Sequence, residues 1–151
     1  MNLEIYVHGY CMMNESEKYG GYCANVVYKT YDYTVTSLGS NTTSNSLEIQ
    51  ALIHALKGVG SSYNEIKIFS NNGYIVDCIN LYLSQWRVKN FKGIANKAFW
   101  MEYSSLTANK FVIAVKLDNQ TNERNKFCFK TAKEQALLAK TQAEEWAKLF
   151  G

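Results

Sequence analysis

Apolar and polar residues alternate through Leu3-Glu4-Ile5-Tyr6-Val7, a period of two that predicts a strand. The Val- and Tyr-rich run from Tyr22 to Tyr28 predicts a second strand, with Gly20-Gly21 as a turn or bend ahead of it. Tyr31-Asp32-Tyr33 reads as the connection to a third strand ending at Leu38, and Gly39 to Ser44 as a polar loop. The period then changes. Leu47, Ala51, His54-Ala55 and Gly58 drift along one face, which predicts a helix from about Ser46 to Lys57. A short apolar strand, Glu65 to Phe69, is closed by Asn71-Asn72-Gly73, and a helix from about Tyr74 to Leu83 follows. Trp86 to Lys92 is aromatic and basic, and Ala95 to Leu106 has helical character. Phe111 to Lys116 predicts the last strand. Asp118 to Lys130 is polar, interrupted by Phe127-Cys128-Phe129. Ala132, Ala136, Ala139, Ala143 and Trp146 recur at helical spacing and predict a final helix from about Ala132 to Phe150.

Three early strands imply an antiparallel meander, and later strands separated by helices imply parallel crossovers. The expected architecture is α/β: a mixed five-stranded sheet, antiparallel first and then parallel, flanked by helices. At 151 residues the chain has the length of one domain, 1–151, with enough apolar residues (47%) for a core. A formal net charge of +3 is too mild to announce a nucleic-acid partner. No apolar run is long enough to span a bilayer, so no membrane association is expected. Cys11, Cys23, Cys78 and Cys128 form no close pairs in the sequence, which suits a reducing, cytoplasmic or otherwise intracellular setting. On that basis the sequons at Asn14, Asn41 and Asn119 are chance matches. With no proline in the chain, turns fall to Gly, Asn, Ser and Asp.

Several local sequences, in one shared order, resemble those of ribonuclease H, of the type 1, ribonuclease HI-like kind. His8-Gly9-Tyr10-Cys11 is similar to the Asp-Gly-Ser-Cys that ends the family's first strand, and Gly20-Gly21-Tyr22 to its Gly-Gly-Tyr-Gly. Thr42-Thr43-Ser44-Asn45-Ser46-Leu47-Glu48 is close to Thr-Thr-Asn-Asn-Arg-Met-Glu, the most specific of these matches. Phe69-Ser70-Asn71-Asn72-Gly73-Tyr74-Ile75 resembles Ser-Thr-Asp-Ser-Gln-Tyr-Val, and Leu138-Ala139 the Glu-Leu-Ala near the start of the final helix. The resemblance implies the ribonuclease H fold across nearly the whole chain, and a site at His8, Glu48, Asn71 and Ala136.

In the family those four positions are carboxylates holding two Mg²⁺ ions. Two such dications about 3.5–4 Å apart repel each other, so anionic ligands must offset them. Here His8, Asn71 and Ala136 leave Glu48 as the lone carboxylate, which is too little charge for a magnesium pair, and magnesium rarely accepts imidazole. No metal or other cofactor is therefore expected. If the chain were active after all, a divalent ion such as Mg²⁺ or Mn²⁺ would be required, and a softer ion on His8 and Glu48 alone would be poorly held. Bland roles compete with these. Glu48 lies three residues after Asn45, the spacing of a capping box in which Asn45 caps the helix and Glu48 reaches back to its amide. His8 can be a hydrogen-bonded structural histidine, and Ala136 core.

Between Asp77 and Glu102 there is no acidic residue. Arg87, Lys89, Lys92 and Lys97 interleave there with Tyr82, Trp86, Phe91, Phe99 and Trp100. Cations contact phosphates, and flat rings contact sugars or bases. The resemblance implies a similar basic protrusion that holds the DNA strand of a hybrid. Asn14, Asn45, Asn71 and Asn72 add neutral donors for phosphate or 2′-hydroxyl groups. The expected nucleic-acid contacts are thus Asn14, Asn45, Asn72, Tyr82, Trp86, Arg87, Lys89, Phe91 and Lys92. Three functions follow from these residues. One is an inactive ribonuclease H-like domain, a pseudoenzyme that binds RNA/DNA hybrids or double-stranded RNA. Another is a protein-interaction or assembly module, its eleven tyrosines serving a protein partner. The last is a metal-dependent ribonuclease H with an atypical site.

Overall fold

The computed structural model describes residues 2–14, 16–60, 62–118 and 121–151, but not the side chain of Asn14. Strands β1 (Asn2–Asn14), β2 (Glu17–Tyr28) and β3 (Tyr31–Ser40) form the antiparallel meander. Helix α1 (Ser44–Val59) crosses to β4 (Glu65–Ser70), which pairs in parallel with β1. Helix α2 (Gly73–Asp77), a π-helical turn (Cys78–Tyr82), α3 (Leu83–Val88) and α4 (Lys97–Leu106) lead to β5 (Phe111–Lys116), parallel to β4. Helix α5 (Glu123–Phe150) closes the chain. The sheet order is β3-β2-β1-β4-β5, the mixed five-stranded sheet expected from the sequence.

Alternation along the strands sorts the two faces. Leu3, Ile5 and Val7 of β1 join Tyr22, Ala24 and Val26 of β2 and the apolar face of α1 in the main core, with Ile66, Ile68, Trp100 and Tyr103. Tyr6 and Cys23 face the other way, onto Cys128 and Ala132 of α5. The cysteines thus meet in space although they are far apart in sequence. Cys23 Sγ lies 3.5 Å from Cys128 Sγ, and Cys128 Sγ donates to the Tyr6 carbonyl at 3.4 Å. Both are free thiols, and the close contact with the Cys23 thiol together with burial raises the Cys128 pKa.

Gly20-Gly21 is not a turn; both glycines lie inside β2. A Cβ on Gly21 would come within 2.5 Å of Ala132 O and 2.7 Å of Ala136 N, and one on Gly9 within 2.6 Å of Ser44 O. Bare glycines at these points let α5 and α1 lie directly on opposite faces of the sheet. The final helix also starts earlier than its alanine pattern suggests. Asn125, Cys128, Ala132, Ala136 and Ala139 form one buried stripe with spacings of three or four. The polar look of 122–126 hides the first turn, which Asn122 caps by accepting from Asn125 N. Arg124 then fastens this end to the meander, donating to Asn25 Oδ1 and Asp32 Oδ2, each at 2.8 Å.

Candidate functional site

The parallel pairing of β1 with β4 runs to Tyr6↔Phe69, so His8, still inside β1, and Asn71, one residue past β4, follow side by side where that pairing ends. Helix α1 supplies Glu48 from the opposite face. Thr43, not Asn45, caps that helix, its hydroxyl accepting from Ser46 N at 3.1 Å. Glu48 does not reach back to an amide of its own helix. Its carboxyl accepts a short hydrogen bond from the Ser70 hydroxyl, and the Asn72 amide and the Gly9 N–H also point to it. The capping box expected at Asn45 and Glu48 is therefore absent. Asn45 Oδ1 instead accepts from Asn72 Nδ2 at 2.6 Å, and Asn72 Oδ1 caps α2 through Tyr74 N and Ile75 N.

Burial pushes the Glu48 carboxyl up to about 8, even though all three donors favour its charged form. Burial likewise lowers the His8 pKa, so the imidazole is neutral at neutral pH. The Asn71 side chain is near enough to favour the protonated ring, yet neither His8 Nδ1 nor Asn71 Oδ1 completes a hydrogen bond in good geometry. Asn71 Nδ2 is committed to the Leu117 carbonyl at 2.6 Å, which ties the end of β4 to the end of β5. The Phe129 ring stands edge-on to His8, with centroids 4.8 Å apart, and to Tyr10 at 5.8 Å.

His8 and Asn71 thus adjoin, Glu48 bonds to the residues next to them (Gly9, Ser70 and Asn72), and Ala136 does not join them. Ala136 packs beneath Gly21, more than three turns into α5, and the α5 side chain that meets His8 is Phe129. The Leu138-Ala139 register misplaced this position because the helix begins at Glu123. Ser70 and Phe129 escaped the sequence reading. Ser70 was visible only as the residue before Asn71, and Phe129 only as part of an apolar interruption in a polar stretch.

Among the proposed nucleic-acid contacts, Arg87, Lys89 and Lys92 are exposed, as is Tyr82. Arg87 Nε is held by Ser104 Oγ at 2.7 Å. Trp86 is half-buried, packed against Tyr82 and edge-on to Trp100. Phe91 is not a surface ring. It is 6% exposed, at a left-handed φ of 58°, with its N–H bonded to Trp86 O while the side chain enters the core. Asn45 and Asn72 are half-buried and engaged with each other. The Asn14 side chain and the whole of Asn119 lie outside the described residues.

A divalent metal pair, which the family resemblance brings with it, does not fit this donor set. The one carboxyl among these residues is held by Ser70 and raised in pKa, and the other two donors, His8 Nδ1 and Asn71 Oδ1, are unpaired but carry no negative charge to offset two dications. Among the described residues no group of three or more His, Cys, Asp or Glu side chains is placed to hold a metal ion.

A meander, crossover helices and a candidate site where the pairing of the two central parallel strands ends define a ribonuclease H-like fold. A family model described as RNase H matches residues 1–137. The chain is 33% identical over 146 residues to a ribonuclease H of Campylobacter jejuni (strain 81-176), covering 95% of this chain and 97% of that protein. It is 30% identical over 135 residues to ribonuclease HI of Helicobacter pylori (strain ATCC 700392 / 26695), covering 89% and 92%. Among solved structures, LC9-RNase H1, a type 1 RNase H with the type 2 active-site motif, superposes with a TM-score of 0.73 at 18% identity, over 91% of this chain and 73% of that one. LC11-RNase H1 in complex with an RNA/DNA hybrid gives 0.66 at 18% identity, over 91% and 98%. The chain belongs to the RNase H family, as a ribonuclease HI-like member.

Proposed function

We propose that this chain is a single RNase H-like domain that binds RNA/DNA hybrids and does not cleave them by the two-metal route. One observation carries the reading. At the point where the fold gathers its site residues, the chain supplies one carboxyl, and that carboxyl is buried, bonded to Ser70 and held up to about 8. Two dications at van der Waals separation need several anionic ligands, and His8 and Asn71 provide none. Binding survives this loss on physical grounds. Phosphate contact depends on cations and hydrogen-bond donors, and the exposed Arg87, Lys89 and Lys92 remain on a segment free of acidic residues. Removing anions from the groove also lessens its repulsion of a phosphate backbone. The hybrid in the LC11-RNase H1 structure supports the choice of ligand by likeness of fold.

The test is a labelled RNA/DNA hybrid incubated with the protein in Mg²⁺ and in Mn²⁺, alongside a binding titration at several salt concentrations. Retention of the intact hybrid, with affinity falling as salt rises, is the expected result. Cleavage that Glu48→Gln abolishes would overturn the inactive reading, and binding insensitive to salt would overturn the hybrid-binding one.

A further inference from the structure

A metal-free site must still accommodate the phosphate that the backbone of a bound nucleic acid brings to it, and the structure places a cation over Gly73, two residues along the chain from Asn71. Lys116 ends β5, next to Leu117, whose carbonyl receives the Asn71 amide at 2.6 Å. Its side chain does not wander into solvent. It lies across Gly73, such that a Cβ built on that glycine would sit 3.7 Å from Lys116 Nζ and 3.8 Å from Cδ and Cε. The stem is thus laid flat over bare backbone while the residue stays exposed and forms no ion pair among the described residues. The N-terminus of α2 beside it is already capped, because Asn72 Oδ1 takes Tyr74 N and Ile75 N, and the ammonium is a positive group at this rim without an ion pair among the described residues. Asn71, two residues before Gly73, and His8, which adjoins it, are uncharged, and the exposed Asp118 lies two residues after Lys116. Glu48 lies beneath them, out of solvent and engaged with Ser70.

The family's metals would have brought positive charge to this spot, and the residues present do not suit those metals. We propose that the Lys116 ammonium, laid across Gly73 at the start of α2, is a phosphate contact that holds the nucleic-acid backbone near the site without a divalent cation. The inference rests on the hybrid-binding reading above and adds a residue and a charge source to it. Lys116 is a binding residue and takes no part in bond breaking. A single ammonium contacts phosphate as a point charge, so Arg substitutes for it and Ala or Glu does not.

The experiment measures hybrid affinity across a salt series, in EDTA and in Mg²⁺, for the parent protein and for Lys116→Ala, Lys116→Glu and Lys116→Arg. Thermal melts confirm folding, which exposure of the side chain makes safe. Equal parental affinity in EDTA and Mg²⁺ is expected. Lys116→Ala should weaken binding about tenfold and reduce the salt slope by about one. Lys116→Glu should weaken it further, and Lys116→Arg should restore it. Parental affinity that disappears in EDTA would overturn the proposal in favour of a metal. Unchanged binding by Lys116→Glu, with Arg87→Ala still weakening it, would also overturn the proposal but leave the hybrid-binding reading intact. A parent protein that binds no hybrid at low salt would remove both.

Discussion

Glu48 has the environment of a buried acid. Its folded pKa of about 8 lies above the ordinary 4.5, so between those values the folded state holds a proton that the unfolded chain has released. The stability this group contributes is complete below about pH 4.5 and is lost as pH rises towards 8. Urea melts across this range should show stability falling with pH, and Glu48→Gln, which cannot ionise, should flatten that slope. A carboxyl titrating near 4.5 in the folded protein by ¹³C NMR would refute the account. The sequence showed that Glu48 stood without carboxylate neighbours, but not what it touched. Asn45 three residues earlier is an equally good capping partner on local grounds, and only the packing of β4 against α1 brings Ser70 and Asn72 to it.

At the level of elements, the sheet is held between helices at points where side chains have been removed. Gly21 is the clearest case, because the atoms its Cβ would strike include the α5 backbone, which cannot rotate away. Gly21→Ala should cost about 1–3 kcal/mol by forcing α5 off β2, lowering the melting temperature by about 2–4 °C per kcal/mol. Gly39, where a Cβ would find only ordinary contacts at 3.7 Å, should tolerate the same change, and equal effects at both positions would contradict the close-approach explanation. The π-helical turn has a comparable purpose. It presents Asn80, whose amide donates to Ala114 O at 2.8 Å and whose oxygen accepts from Ala114 N at 2.9 Å. A side chain thereby stands in for a neighbouring strand at the free edge of β5. Neither device has a distinctive local pattern. A Gly-Gly pair reads as a turn by frequency, and an isolated Asn in a helical stretch reads as a surface residue.

Over the whole molecule, the basic segment divides into a surface that can meet a ligand and a ring that cannot. Arg87, Lys89 and Lys92 project outward while Phe91 joins the main core. Changing the three cations together to Ala should weaken hybrid binding and reduce the salt slope by about two to three, at nearly unchanged stability. Phe91→Ala should do the opposite, costing about 3–5 kcal/mol of stability while the folded fraction keeps its salt slope. A melt and a salt titration on each variant separate the two roles. No described helix is long and apolar enough to cross a membrane.

The sequence by itself determined the element order, the five strands, the change of period at α1 and the shortage of carboxylates, because each is written in neighbouring residues. It also determined membership of the family, through the motif around Glu48. Tertiary structure alone decided the partners: Ser70 under Glu48, Phe129 against His8, Cys128 beside Cys23, Lys116 across Gly73. Each of these joins residues on different elements, and α5 could be placed only once its first turn was seen to begin at Glu123. Local periodicity reports which face of an element is buried. It carries no information about which residue of another element lies opposite, and the chemistry of this site depends on that pairing.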